Sequence, residues 1–327
     1  MRKVNIELWI LVLLGFAILQ HPLFSQVPIA HGIQKKTYEF AKKDTSILKL
    51  DVYTRASMEK NSPCIIFVFG GGFITGKRDD EFYNKYFNTL VQNKYVVVSI
   101  SYRLGLKGAR RITNFNTEPL KTAVDMAVED LYDATKWVLK NAKDIGIDTT
   151  KIILSGSSAG AMVVLQGDFE KRNESDLAKR LSKEFQYAGV VAFAGAVVSD
   201  EGRLKYKIKP APTMMFHGTR DKMIFYNRLT FFNRSLNGSN AVAKVFRKHN
   251  YPYYFYRVKG LGHEVAARPM EENLENILWF LDQYVMNKKR YQIEHTFRDM
   301  DSKHSLILTP DDVFKNNSSL STKADKK

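Results

Sequence analysis

The sequence has very little cysteine and no long uninterrupted hydrophobic run. Cys64 is its only cysteine, so the chain cannot form an internal disulfide. This residue lies in an apolar stretch, and we expect it to be a small buried core residue. The apolar run at residues 8–19 is shorter than the roughly 20 residues that a membrane-spanning helix needs. These two shortages exclude an internal disulfide and argue against a transmembrane anchor.

The first residues are typical of a secretory signal. Arg2 and Lys3 precede the apolar run, and Ser25 offers a small residue for cleavage. No cysteine lies near the end of the run, which argues against a lipoprotein anchor. We therefore expect residues 1–25 to be a cleaved signal peptide and the mature protein to be secreted or periplasmic. A retained membrane anchor is the alternative.

Acidic residues are too few to balance the basic ones, and the formal net charge is +16. The positive charge is spread over the body of the chain rather than concentrated at either end. A dispersed excess suits contact with anionic surfaces or acidic polysaccharide, although it more often serves simple solubility. No nucleic-acid-binding module and no internal repeat is recognisable, so we expect no nucleic-acid partner.

Strand-like and helix-like patterns alternate along the chain. Polar and apolar residues alternate at 37–41 and 47–54, which predicts two antiparallel strands. Continuous apolar runs predict buried strands at 65–69, 95–100, 151–154, 187–194, 213–216 and 253–258. Apolar residues recur at helical spacing after Pro119 and after Pro269. This alternation predicts an α/β fold with a mostly parallel sheet covered by helices on both faces, and ligands bind such sheets beyond the carboxyl ends of the strands.

Hydrophobic periodicity fades near the C-terminus. We predict one folded domain over residues 33–287 and a C-terminal extension over residues 288–327. The end of this extension is polar, so we expect the extension to be partly disordered.

The strongest motif is Gly-x-Ser-x-Gly at residues 156–160, between a predicted strand and an apolar helical stretch. Side chains at Gly156 and Gly160 would collide with the neighbouring strand or helix. The turn holds the hydroxyl of the central residue out at the helix N-terminus, so we predict Ser158 to be a nucleophile. Ser157 has the wrong offset from the two glycines and should point away.

Three consecutive glycines directly follow the third predicted strand. They allow backbone N–H groups to approach a substrate oxygen closely. A phosphate-binding loop would require Lys followed by Ser or Thr, but Lys77 is followed by Arg78. We predict that the N–H groups of Gly71, Gly72 and Ala159 form an oxyanion hole, in which one donor contributes about 3 kcal/mol to transition-state stabilisation.

An acid and a base follow two later strands. Asp221 comes just after a predicted strand and a Gly turn, and His263 lies in a Gly-flanked loop after the last strand. The chain order Ser, Asp, His suits a hydrolase of this topology. We predict His263 to be the general base and Asp221 to be the acid that orients it. Asp200 and Glu201 are the alternative acids, and we expect His217 to shape the turn that contains Asp221.

The chain between Asp221 and His263 is longer than a loop, helix and strand require. An additional segment is therefore expected at residues 225–237. Its aromatic residues either roof the substrate pocket or bury against the sheet, and both interpretations remain open. These residues are Phe225, Tyr226, Phe231 and Phe232.

Together these segments resemble the α/β-hydrolase superfamily over residues 37–286. Within it the chain is similar to the carboxylesterase and carbohydrate-ester esterase branch, which is related to bifunctional feruloyl and acetyl-xylan esterases. The resemblance is carried by Leu50-Asp51-Val52-Tyr53, Phe69-Gly70-Gly71-Gly72-Phe73, Ser101-Tyr102-Arg103-Leu104, Gly156-Ser157-Ser158-Ala159-Gly160, His217-Gly218-Thr219-Arg220-Asp221 and Gly262-His263. Many relatives have His where Phe69 stands, and the segment after Asp221 is also unusual.

The resemblance implies a triad of Ser158, Asp221 and His263, an oxyanion hole of Gly71, Gly72 and Ala159 and a structural role for Tyr102-Arg103. The implied activity is hydrolysis of carboxylic esters through an acyl-enzyme, with no metal or organic cofactor. Acetyl or feruloyl esters on carbohydrates are the expected substrates, so the partner would be a small-molecule or glycan ester. A serine peptidase of the prolyl-oligopeptidase kind and a lipase are alternative enzymes. The non-enzyme alternative is an inactive hydrolase fold that serves as a binding module.

Overall fold

The computed structural model describes residues 27–300, apart from 44–45, 57–58, 108–116, 201, 232–233 and 299. The predicted signal peptide and residues 301–327 of the predicted extension lie outside the described residues. No helix in the described part of the chain combines the length and hydrophobicity that crossing a membrane requires.

Twelve strands are present among the described residues. They are β1 (Ile33–Lys43), β2 (Ser46–Arg55), β3 (Ser62–Val68), β4 (Val96–Ile100), β5 (Ile147–Ser157), β6 (Gly189–Phe193), β7 (Ala196–Ser199), β8 (Thr213–Gly218), β9 (Arg228–Phe231), β10 (Arg234–Gly238), β11 (Tyr253–Val258) and β12 (Gln292–Phe297). Each apolar run that predicted a buried strand overlaps one of these elements. Runs of this composition form inner strands because both faces of the sheet are covered.

Nine of the strands form one sheet, in the order β1-β2-β4-β3-β5-β6-β8-β11-β12. β1 pairs with β2 and β2 pairs with β4 in antiparallel fashion, and the remaining neighbours are parallel. The prediction of a mostly parallel sheet is confirmed. Its carboxyl-terminal edge therefore collects the loops that follow β3, β5, β8 and β11.

Helices cover both faces of this sheet. They are α1 (Asn84–Gln92), α2 (Glu118–Ile145), α3 (Ala159–Asn173), α4 (Ser239–Lys248), α5 (Pro269–Glu272) and α6 (Leu274–Phe280), which continues into a π-helical turn at Leu281–Met286. α2 has Pro119 in its first turn and ends at Gly146, whose φ of +85° suits the left-handed cap that glycine adopts readily. The helical pattern after Pro269 is real but is interrupted at Asn273.

The additional segment before α4 forms part of a separate small sheet, in the order β7-β10-β9. Tyr226 lies just before β9, and its ring stacks at 6.0 Å on Phe255 of β11. Phe225 is 37% exposed. The ring contact of Tyr226 agrees with the interpretation in which these aromatic residues bury against the main sheet. The exposure of Phe225 does not agree with it. The side chains of Phe231 and Phe232 lie outside the described residues.

The C-terminal end of the folded unit differs from the predicted boundary at residue 287. β12 pairs in parallel with β11 along its full length, from Gln292 opposite Tyr253 to Phe297 opposite Val258. The sheet therefore extends ten residues further than expected. β12 is an edge strand with mostly exposed side chains, so it lacks the apolar run that marks an inner strand.

Candidate active site

The nucleophile turn joins β5 to α3 and strains the backbone at Ser158. This residue has φ +53° and ψ −118°, outside the regions that L-residues normally occupy. A Cβ at Gly160 would lie 2.0 Å from the carbonyl oxygen of Val68, and one at Gly156 would lie 2.4 Å from that of Gly160. Glycine is therefore required at both positions so that α3 can approach β3 closely. Close approach brings the turn against the loop that follows β3.

Ser158, His263 and Asp221 form a continuous chain of hydrogen bonds. Ser158 Oγ lies 2.7 Å from His263 Nε2, and His263 Nδ1 lies 2.8 Å from Asp221 Oδ2. Because a carboxylate only accepts, Nδ1–H donates to Asp221 and Nε2 is left to accept the Ser158 proton. This is the tautomer in which a histidine can act as a base toward a hydroxyl.

The acid is held as a buried carboxylate. Burial of Asp221 raises its pKa, but the charge of His263 and hydrogen bonds from His217 and His263 outweigh burial and hold the pKa well below its usual range. Its other oxygen, Oδ1, accepts the N–H groups of Met223 at 2.9 Å and Ile224 at 3.0 Å. Asp221 therefore remains negative beside the imidazole.

The charge of Asp221 in turn affects His263. Burial lowers the pKa of the imidazole, but the charge of Asp221 and its hydrogen bond outweigh burial, and the net pKa lies above its ordinary value. The imidazole side chain is 14% exposed, so it can still be reached from solvent.

His217 is a second histidine beside the acid, and it approaches the same carboxylate oxygen as His263. It is fully buried, and its Nε2 lies 2.9 Å from the carbonyl oxygen of Ile224 and 3.4 Å from Asp221 Oδ2. Its Nδ1 lies 2.7 Å from Ser239 Oγ. Since a carbonyl only accepts, Nε2 carries the proton and His217 ties the turn after β8 to the start of α4.

The alternative acids are not near the base in the described structure. Asp200 forms an ion pair with Arg234 at 2.6 Å. Glu201 lies outside the described residues. The structure therefore places Asp221, and not Asp200, against His263.

The glycine loop after β3 lies directly beside the nucleophile. A Cβ at Gly70 would be 3.3 Å from the Cβ of Ser158. Gly71 and Gly72 have φ of +126° and +64°, which glycine tolerates best. Among the described residues, none accepts a hydrogen bond from the N–H of Gly71, Gly72 or Ala159. All three N–H groups are therefore without a partner in the described structure.

A second chain of polar contacts, which sequence reasoning missed, joins three active-site segments. The N–H of Gly70 donates to the Tyr83 hydroxyl at 3.2 Å. The Tyr83 hydroxyl also lies beside the side chain of Ser157, whose hydroxyl donates to the carbonyl oxygen of Ala266 at 2.8 Å. Burial raises the pKa of Tyr83 to about 12, so its hydroxyl stays protonated. Tyr83 lies in a short 3₁₀ turn without a motif, so no local pattern marks it.

Phe69 lies directly before the three glycines of this loop. Its ring lies 4.5 Å from that of Tyr102, and the Tyr102 hydroxyl donates to the Phe69 carbonyl oxygen at 3.0 Å. Arg103 pairs with Asp130 at 2.8 Å. Tyr102 thus holds the start of the glycine loop, and Arg103 holds the loop after β4 against α2.

Other reactive or ligating groups are not assembled into a site in the described part of the chain. No three His, Cys, Asp or Glu side chains are grouped there as a metal ion would require. Cys64 is buried in β3, and burial raises the pKa of its thiol.

The strand order, the strained nucleophile turn and the Ser–His–Asp arrangement are those of the α/β-hydrolase fold. The family model described as BD-FAE matches residues 50–200. The para-nitrobenzyl esterase of Bacillus subtilis (strain 168) is 27% identical over 175 residues, which cover 51% of this chain and 35% of that protein. The chain thus spans only about a third of the length of this curated relative.

Solved structures show the same fold. The apo form of Thermogutta terrifontis esterase 2 is 22% identical, with a TM-score of 0.56, and the match covers 80% of this chain and 96% of that one. The same esterase phosphorylated by paraoxon is 21% identical, with a TM-score of 0.55, and the match covers 78% and 95%. Nearly the whole fold of that esterase is therefore contained in this chain.

Proposed function

We propose that this protein is a serine esterase that hydrolyses carboxylic esters through an acyl-enzyme. The observation that carries the proposal is the chain of hydrogen bonds from Ser158 through His263 to Asp221, beside a loop of free N–H donors. The similarity to proteins named as esterases supports the same activity.

In the proposed first step, His263 Nε2 takes the proton of Ser158 as Oγ attacks the ester carbonyl carbon. The carbonyl oxygen becomes negative and is stabilised by the N–H groups of Gly71, Gly72 and Ala159. When this intermediate collapses, the bond to the alcohol oxygen breaks and His263 gives its proton to the departing alcohol.

In the second step, water replaces the alcohol. His263 takes a proton from the water as its oxygen attacks the acyl carbon. Collapse breaks the bond to Ser158 Oγ, which recovers a proton from His263, and the carboxylic acid leaves. Asp221 fixes the tautomer of His263 and stabilises the imidazolium in both steps.

For the substrate we propose acetyl or feruloyl esters on carbohydrates. The motif resemblance to feruloyl and acetyl-xylan esterases and the match to the BD-FAE model support this choice. The basic start, short apolar run and small residue of the N-terminus support a secreted or periplasmic location for the mature protein.

The proposal is tested with 4-nitrophenyl acetate and paraoxon. We expect hydrolysis of the aryl ester, loss of at least about a thousandfold in kcat on Ser158→Ala, and one phosphoryl adduct on the Ser158 peptide by mass spectrometry. Ser182→Ala, at an exposed position, is the matched control and should keep both properties. Full hydrolysis by the Ser158→Ala protein would reject Ser158 as the nucleophile.

A further inference from the structure

A groove opens beside the turn that carries Asp221. Its volume is about 220 Å³, and its wall includes Arg220, Lys222, Phe225 and Tyr226. The turn follows β8, so the groove lies at the carboxyl-terminal edge of the sheet, as do Ser158 and His263. Neither the family match nor the proposed mechanism assigns a role to it.

The groove is firmly attached to the loop that presents the base. The N–H of Arg220 donates to the carbonyl oxygen of Leu261 at 2.9 Å, and the N–H of Gly260 donates to Thr219 Oγ at 3.0 Å. Two hydrogen bonds and one imidazole ring separate the Ser158 hydroxyl from Asp221 Oδ2, a span of roughly 8 Å. Asp221 also lines the groove, so an oligomer of a few sugar units is longer than the span from the nucleophile to the nearest of these groove-lining atoms.

The proposed mechanism determines which part of the substrate would enter the groove. The departing alcohol oxygen must receive its proton from His263 Nε2, so the alcohol component lies on the His263 side of Ser158. Asp221 and its turn lie beyond His263 on that side. The groove is therefore positioned to contact the alcohol component rather than the acyl group.

The groove wall carries positive charge that is not compensated by the described residues. Arg220 and Lys222 are exposed, and no described carboxylate lies within ion-pair distance of either. The carboxylate of Asp221 is wholly buried and is bonded to His263 and to backbone N–H groups. Phe225, 37% exposed, adds an aromatic surface beside the two cations.

We propose that this groove binds an anionic portion of the alcohol component, so that the preferred substrate is an ester carried by an acidic glycan. Arg220 and Lys222 supply donors to sugar carboxylates, and Phe225 supplies an apolar surface for a sugar ring. The net charge of +16 also attracts a polyanion toward the protein. This inference rests on the proposed esterase function and names its substrate class.

The test compares an acetylated oligogalacturonide with the same oligomer after its carboxylates are converted to primary amides. We expect a higher kcat/KM for the anionic oligomer, and a fall in this preference between 20 and 500 mM salt because exposed charges are screened. Arg220→Gln combined with Lys222→Gln should lower the ratio of the two kcat/KM values about fivefold, mainly through KM, because two exposed ion contacts are lost.

The matched control removes the same charge elsewhere. Lys244→Gln combined with Lys248→Gln changes two exposed cations on α4 and should leave the ratio unchanged. Equal kcat/KM for both oligomers, or an equal drop in the ratio for both double variants, would overturn the groove assignment.

A binding measurement separates this inference from the proposed activity. Calorimetric titration of Ser158→Ala protein should show tighter binding of the anionic than of the amidated oligomer, and loss of that difference with Arg220→Gln and Lys222→Gln. If 4-nitrophenyl acetate is hydrolysed but the oligomers bind equally, only the groove assignment is wrong. If the aryl ester is not hydrolysed, the esterase proposal fails, while the calorimetric comparison still decides whether the groove binds the anion.

Discussion

At the scale of single residues, the buried carboxylate of Asp221 and the imidazole of His263 control each other's charge. Asp221 is surrounded by four donors: two histidines and the N–H groups of Met223 and Ile224. These donors stabilise its negative charge in spite of burial. The charge then favours the protonated form of His263, which is the form that arises during each proposed proton transfer.

Asp221→Asn should lower kcat by about ten-thousandfold, because the amide can hold His263 in the wrong tautomer. Steady-state kinetics with 4-nitrophenyl acetate measure the loss. Asp200→Asn is the matched control, since Asp200 pairs with Arg234 and not with the base, and it should keep kcat within a few-fold. A larger loss for Asp200→Asn than for Asp221→Asn would reassign the acid.

The pH profile should reflect the raised pKa of His263. Only neutral imidazole accepts the Ser158 proton, so kcat/KM falls as pH drops through the pKa. Because Asp221 raises that pKa above 6.5, the acidic limb of the profile should have its midpoint above pH 6.5. Initial rates measured from pH 5 to 9 at constant ionic strength test this, and a midpoint well below 6.5 would contradict the coupling.

At the scale of secondary-structure elements, the site depends on loops that follow different strands and must be held in register. The chain of polar contacts through Tyr83 and Ser157 connects the glycine loop after β3, the end of β5 and the loop after β11. Its members are buried, and an unpaired buried polar group costs about 1–3 kcal/mol. The chain therefore favours the arrangement in which all three loops are together.

Tyr83→Phe should lower kcat about tenfold with little change in KM, because a 1.4 kcal/mol loss of transition-state positioning corresponds to about a factor of ten. Kinetics and thermal unfolding should be measured together. Tyr86→Phe is the matched control: Tyr86 is a buried tyrosine on α1 whose hydroxyl bonds Ser155 within β5 and bonds none of the three loops in the described structure. It should reduce stability but not kcat, and an equal kcat loss in both variants would indicate a general packing effect.

The elements that could be predicted from the sequence are those whose residue pattern has a local physical cause. β3, β5, β8 and β11 are apolar because they are buried on both faces, and Gly156 and Gly160 are dictated by close backbone contacts. Because these contacts require glycine at both positions, the resulting Gly-x-Ser-x-Gly motif also allowed Ser158 to be predicted. β7, β9 and β10 are too short for a run of apolar side chains to mark them. β9 pairs with β10, the next strand in the chain, but the pairing of β10 with β7 joins segments that are distant in sequence. The role of Tyr83 depends on tertiary contacts alone.

At the scale of the whole molecule, the main sheet ends in a polar edge strand, β12, which lies beside the strand that leads to the base. β12 covers the outer side of β11, the strand that leads to His263. Glu294 on β12 pairs with Arg247 and Arg257 and accepts the Tyr253 hydroxyl, while Tyr256 stacks at 4.5 Å on His295. β12 is thus joined to α4 and β11 by ion pairs and ring stacking, in addition to the backbone hydrogen bonds that pair it with β11.

A chain truncated after Asn287 should be less stable than one truncated after Met300, which keeps β12. Losing the edge strand uncovers the N–H and C=O groups of β11 together with Tyr256, and an uncovered strand edge promotes association between molecules. We expect a Tm lower by about 5 °C or more, since 1 kcal/mol shifts Tm by about 2–4 °C in a domain of this size, and a larger fraction of aggregate in size-exclusion chromatography. Equal Tm and equal monomer content would mean that the domain does end at residue 287, and that β12 adds nothing to its folding.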